Sequence, residues 1–117
     1  MIIGIGIDVI EVARVKKAVE KNPRFLGRVF TADEIRYAQT KKNKFQHLAA
    51  RFAAKEAFFK ALGRRIGWAD VAITNQASGK PDLIIHTQEE FSDITRCHVS
   101  LSHLKEYALA IVLLEKE

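Results

Sequence analysis

The stretch Ile2-Ile3-Gly4-Ile5-Gly6-Ile7-Asp8-Val9-Ile10 decides how the rest of the chain is read. Its β-branched residues predict a buried strand. Side chains alternate along a strand, so Ile3, Ile5, Ile7 and Val9 share one face while Gly4, Gly6 and Asp8 share the other. That second face has two hollows beside a carboxylate, and glycines there would let another element approach closely.

Working outward, residues 11–22 predict a helix, because Val12, Val15 and Val19 recur at spacings of three and four and Pro23 follows. Arg14, Lys17 and Lys21 form a separate basic stripe on it. Thr31-Ala32-Asp33-Glu34 fits a capping box, so a short helix is expected to about Thr40. The run Lys41-Lys42-Asn43-Lys44 then reads as a solvated loop or a phosphate contact. Residues 45–62 predict a long helix stopped by Gly63, with Phe45, Ala49, Phe52, Glu56 and Phe59 along one stripe. Glu56 thus stands where a core residue belongs. An unpaired carboxylate there costs roughly several kcal/mol, so it must find a cation or lose its charge. Lys60, one turn on, is the nearest helical partner.

In the second half, strands are expected at 71–75 and 82–86 around a Gly79-Lys80-Pro81 turn. A short helix is expected near 89–95, capped by Thr87 and Glu90, then a hairpin of 97–102 with 107–114 around Leu104 and Lys105. The class is α+β, a small antiparallel sheet packed with a long central helix and shorter helices, in a single domain spanning residues 1–117.

Composition sets the bounds. The chain has 117 residues, 48% apolar and 28% charged, which excludes disorder, a coiled coil and a repeat array. Folding at this length hides about two-thirds of the open chain's surface, leaving little room for both a core and a deep private cleft, so a site shared between subunits is a live option. The balance of 19 Lys plus Arg against 14 Asp plus Glu, net +5, favours an anionic partner: nucleic acid, phosphate, a membrane surface or an acidic protein. A single cysteine, Cys97, rules out an intramolecular disulfide, and the sequence has no signal peptide and no apolar run of about 18 residues. A cytoplasmic protein that does not enter the membrane is expected.

Asp8 on the glycine face and Glu56 on the apolar helix stripe are each costly choices for structure alone. Both become reasonable if their faces meet around a hard cation. Few protein ligands suit Mg2+ better than a caged Ca2+, and no Cys/His ligand cluster points to zinc. The other reading has Asp8 capping the following helix and Glu56 pairing with Lys60 or Arg51. Two facing carboxylates should repel one another in the metal-free protein.

Four segments, taken in order, resemble the phosphopantetheinyl transferases, in particular their small trimeric type. They are Gly4-Ile5-Gly6-Ile7-Asp8; Arg51-Phe52-Ala53-Ala54-Lys55-Glu56-Ala57 continuing to Lys60; the Gly79-Lys80-Pro81 turn; and Val99-Ser100-Leu101-Ser102-His103 followed by Glu106-Tyr107-Ala108. The resemblance implies transfer of 4′-phosphopantetheine from coenzyme A to a serine of an apo acyl carrier protein, releasing adenosine 3′,5′-bisphosphate. It also implies a homotrimer with coenzyme A between subunits. It makes Asp8 and Glu56 the Mg2+ ligands and Glu56 and Lys60 the catalytic pair. Arg51, Lys60, Lys80, Pro81, Ser102 and His103 become the coenzyme A contacts. The serine's general base is left open between Glu56 and a metal-held water. The stripe Arg14, Lys17, Lys21 lies close after Asp8 and is expected to dock the acidic carrier protein. Without the family signature, Arg51 and Lys55 would pass for ordinary exposed helix charges. His47, His86 and His98 show no clustering, Cys97 reads as a small buried residue, Trp68 as packing, and Gly63-Arg64-Arg65 as free to vary. The competing class, a small basic nucleic-acid-binding module, requires aromatic and basic residues interleaved on an exposed sheet, whereas the phenylalanines here sit mostly at helix core spacing.

Overall fold

A computed structural model describes residues 1–117, apart from the side chains of Gln88 and Glu89. Strand β1 (Ile2–Glu11) runs directly into α1 (Val12–Lys21), followed by α2 (Phe25–Val29), α3 (Ala32–Gln39) and the long α4 (Lys44–Leu62). Strands β2 (Val71–Asn75), β3 (Pro81–Ile85), β4 (Arg96–His103) and β5 (Tyr107–Glu115) complete the chain. Single turns of 3-10 helix stand at Trp68–Asp70 and Gln88–Phe91. The second replaces the helix expected at 89–95, and Thr87 makes no side-chain cap there. The short α2 was not anticipated.

Local chemistry explains the boundaries. In the capping box, the Glu34 N–H donates to Thr31 Oγ1 at 3.2 Å, and the Thr31 N–H donates to Glu34 Oε1 at 2.8 Å. Gly63 ends α4 at φ 85°, a left-handed conformation in which a side chain would be strained.

The strand order β1-β5-β4 forms an antiparallel sheet, and β2 and β3 form a separate hairpin. Gly4, Gly6, Asp8 and Ile10 pair with Leu114, Val112, Ala110 and Ala108, and Leu101 and His103 of β4 pair with the same Ala110 and Ala108. One sheet face therefore carries the glycines, Asp8 and His103, and α4 packs across it. A Cβ on Gly4 would lie 2.0 Å from the Ala61 carbonyl oxygen, and one on Gly6 1.9 Å from that of Ala57. Strand and helix meet backbone to backbone, with β1 antiparallel to α4.

This corrects the expectation of a buried isoleucine face. Ile5, Ile7 and Val9 are 62%, 56% and 61% exposed, and Tyr107 and Leu109 of β5 extend the same surface. The glycine face meets the helix because only it permits so close an approach. The isoleucines face outward.

Helix α4 is apolar nearly all round because it is packed on several sides. Ala53, Ala57 and Phe58 join Val71, Ile73, Val112 and Leu114, while Leu48, Ala49 and Ala50 join Val12, Val15, Val29 and Phe30. Lys55 is buried within it, and its ammonium donates to Glu34 Oε1 at 2.8 Å, to the Val29 carbonyl at 2.8 Å and to the Trp68 carbonyl at 3.1 Å. Glu34 Oε2 accepts the Ile73 N–H at 2.9 Å. This pair ties α3, α4 and β2 together, so Lys55 is no exposed helix charge. Among the described residues, no helix is long and apolar enough to cross a membrane.

Candidate active site

The Asp8 end of β1 reaches the middle of α4. Lys60 Nζ donates to Asp8 Oδ1 at 3.1 Å and to the Ile7 carbonyl at 2.9 Å. Glu56, one turn earlier, accepts two hydrogen bonds from Arg65 Nη2, at 2.9 and 3.2 Å. Lys60 therefore pairs with Asp8, and the cation on Glu56 is Arg65, from the segment expected to vary freely. The two carboxylate side chains are 16% and 17% exposed and their partners 55% and 63%. Each carboxylate already has a cation, which offsets its charge. Glu56 lies on the solvent rim of α4 rather than in its core.

This donor set fits a hard divalent cation. Both ligands are carboxylates, and both are held by cations that water can replace. Among the described residues no three His, Cys, Asp or Glu side chains converge, so most coordination positions would fall to water or to oxygens of a bound substrate, as Mg2+ prefers.

A second group of residues surrounds a cavity of about 190 Å3 lined by Tyr37, His47, Arg51, Asn75, Gly79, Pro81 and His103 together with Ala50 and Leu101. Arg51 is 2% exposed. Its guanidinium lies 4.1 Å over the Tyr37 ring and donates to Asn75 Oδ1, while Arg51 Nε has no partner among the described residues. Asn75 Nδ2 in turn donates to the Gly79 carbonyl at 2.9 Å, which fixes the β2–β3 turn beside Arg51. The lining contains no carboxylate. A buried guanidinium with an unused N–H can receive an anion, although the charge of Glu34 also acts on this one.

Of the expected coenzyme A contacts, Arg51, Pro81 and His103 meet in this cavity. Ser102 does not, because strand alternation turns it to the opposite, exposed face. Lys80 is exposed in the adjoining turn. Lys60 belongs to the Asp8 group. His47, read as unclustered, packs its ring 4.8 Å from that of His103 and 5.5 Å from that of Tyr37. Burial, together with His103, Arg51 and Lys41, pulls its pKa down to about 4. Cys97 is half-buried, and desolvation pushes its thiol up to about 11, which disfavours the thiolate form a nucleophile needs. Trp68 packs against Phe52 and Phe59 at 5.3 and 5.2 Å between centroids.

Asp8 and His103 share a sheet face, but the α4 residues of the two groups point in different directions. Arg51 and Glu56 are five residues apart on α4, about 140° around the helix axis at 100° per residue. Asp8 is on β1 and His103 on β4, with β5 between them. On α1, Val12 and Val15 are buried while Arg14, Lys17 and Lys21 are exposed, leaving the basic stripe free. The residues missed by sequence reasoning are Arg65, His47, Tyr37, Gln46 and Asn75. Each acts through a partner distant in sequence or through a turn, where no periodicity reports it.

Comparison with known proteins identifies the family. Residues 4–112 match the family model of the 4′-phosphopantetheinyl transferase superfamily. A holo-[acyl-carrier-protein] synthase of Shouchella clausii is 46% identical over 98% of this chain and 99% of its own length. One from Anoxybacillus flavithermus is 44% identical, with 99% and 98% covered. The Bacillus anthracis holo-(acyl-carrier-protein) synthase, crystallised in complex with CoA (3′,5′-ADP), superposes with a TM-score of 0.86 at 39% identity, covering 100% of this chain and 99% of that one. A Helicobacter pylori holo-[acyl-carrier-protein] synthase in complex with coenzyme A gives 0.85 at 29% identity, with 95% and 99% covered. On this agreement of sequence and fold, the chain belongs to the holo-[acyl-carrier-protein] synthases of the 4′-phosphopantetheinyl transferase superfamily.

Proposed function

We propose that this chain transfers 4′-phosphopantetheine from coenzyme A to a serine of apo acyl carrier protein, for fatty acid biosynthesis, at a Mg2+-dependent site completed between subunits of a homotrimer. The observation that carries this reading is the Asp8, Glu56 and Lys60 group on the rim of α4, in a chain matched over nearly its whole length by holo-[acyl-carrier-protein] synthases.

In this reaction the serine oxygen forms a bond to the phosphorus next to the pantetheine, and the bond from that phosphorus to the leaving adenosine 3′,5′-bisphosphate breaks. Such transfers are governed by positioning and by cancellation of phosphate charge. Asp8 and Glu56 would hold Mg2+, which supplies positive charge against the pyrophosphate. Lys60, pinned between Asp8 and the Ile7 carbonyl, places an ammonium at the same rim. Glu56 is the carboxylate we assign to accept the serine proton. The cationic cavity of Arg51 and His103 takes the phosphorylated nucleotide, with Pro81 at its edge.

A single chain points the α4 residues of these two groups in different directions, so a ligand spanning both is best served by two copies. The exposed Ile5, Ile7 and Val9 surface is apolar and continuous with Leu109, the kind of strip that association covers. The same strip disfavours a nucleic-acid-binding module, which needs a basic face there. The exposed stripe Arg14, Lys17 and Lys21 starts just beyond Asp8 and would steer an acidic carrier protein to the site.

The decisive experiment is intact-mass analysis of apo acyl carrier protein after incubation with this protein, coenzyme A and Mg2+. The expected result is a single addition of phosphopantetheine that is lost when Mg2+ is chelated. An unmodified carrier protein overturns the assignment. Sedimentation should show a trimer, and an active monomer would refute the shared site.

A further inference from the structure

His103 is held from two sides by consecutive residues at the start of α4. Its Nδ1 lies 2.9 Å from Gln46 Oε1, an oxygen that also accepts from Asn43 Nδ2 at 3.2 Å. An amide oxygen only accepts, so His103 gives its Nδ1–H to Gln46, and the N–H that a charged ring carries on Nε2 is left to donate to an anion. The His47 ring meets the His103 ring at 63° with centroids 4.8 Å apart, and its other side contacts Tyr37. Edge-to-face contacts of this kind fix the plane of a ring.

We propose that Gln46 and His47 are positioning residues for His103, one engaging its Nδ1–H and the other fixing the ring plane, so that the Nε2–H is aimed at a phosphate of the nucleotide beside Arg51. The inference rests on the reading of this cavity as the nucleotide site. Two features of the cavity support it. Arg51 leaves a buried N–H unused there, and the groups facing His47 from every packed element, namely Tyr37 and Lys41 at α3, Arg51 on α4 and His103 on β4, include no carboxylate. Among those cations a second charged imidazole against His103 would be opposed, and His47 is accordingly kept neutral. His47 acts as an aromatic wedge, not as a second phosphate-binding cation.

Calorimetric binding of adenosine 3′,5′-bisphosphate to the intact protein separates the possibilities. His47→Ala should weaken binding about three- to tenfold, as should Gln46→Leu. His47→Phe, which keeps a ring but has no ionisable nitrogen, should bind within about twofold of wild type. In turnover the losses should fall on KM for coenzyme A rather than on kcat. If His47→Phe binds as weakly as His47→Ala, the wedge assignment is wrong. Wild-type-like binding by both His47→Ala and Gln46→Leu also overturns the inference while leaving the nucleotide site intact. Failure of the wild-type protein to bind the nucleotide removes the site and the inference together.

Discussion

Lys55 and Glu56 are consecutive residues of α4 with opposite fates. Lys55 is fully buried, and its ion pair with Glu34 is enclosed at 0% and 1% side-chain exposure. Glu56 stands about 100° further round the helix, on the rim, where its partner Arg65 is 63% exposed. Burial pushes the Lys55 ammonium below its usual range and Glu34 opposes that shift. The buried pair cannot change partners, because separating it strands a charge in a medium that will not solvate it. The rim pair can, because water takes over whichever group is released. The same chemistry thus makes a fixed joint at residue 55 and an exchangeable ion pair at residue 56. Asp8 and Lys60 are of the second kind.

The largest expected effect breaks the exchangeable side. Asp8→Asn or Glu56→Gln should lower kcat/KM by about a thousandfold, ~4 kcal/mol, through loss of the cation that opposes phosphate charge. Stability should change by no more than about 1 kcal/mol in either direction, since what is lost is a rim ion pair. Near-normal turnover at limiting Mg2+ would remove these carboxylates from the site. The next effect tests the fixed joint. Lys55→Met strands Glu34 and should cost about 3 kcal/mol in urea unfolding, with much of it recovered in the Lys55→Met, Glu34→Gln double variant. Equal losses in the single and double variants would show that packing, not pairing, is at stake. The smallest effect sharpens the boundary. Arg65→Gln frees Glu56 and should tighten apparent Mg2+ affinity by up to about fivefold, ~1 kcal/mol, measured by titrating activity against Mg2+. Weaker affinity would mean that Arg65 supports the site instead of competing for it.

What could be read from residues alone follows the range of the forces involved. The capping box at Thr31, the stop at Gly63 and the α1 valine stripe are local, and all three took the expected form. Alternation in β1 told which residues share a face but not which face is covered. The glycines held that answer, since only they let a backbone come so near. The spacing argument applied to Glu56 applies equally to Lys55, three residues after Phe52 and four before Phe59, yet a signature lysine next to a signature glutamate invited a surface reading. The capping role of Glu34 similarly concealed its second oxygen, which holds the Ile73 N–H. Arg65 on Glu56 and His47 on His103 were out of reach because each requires knowing how the chain folds back. The family signature supplied Asp8, Glu56, Lys60 and His103 but not these partners.

The contact of Gly4 and Gly6 with the carbonyls of Ala61 and Ala57 sets a dimension of the molecule. Cores packed by long side chains can breathe as rotamers exchange, and a distance spanned by them drifts accordingly. Two main chains in direct contact have no such slack. Strand and helix together form a ruler whose graduations are peptide units, and Asp8 and Glu56 are marks on its two edges. Variants that soften the apolar interior elsewhere should melt earlier yet keep the interval between the two carboxylates, so thermal stability and cation affinity become separately adjustable properties of this fold.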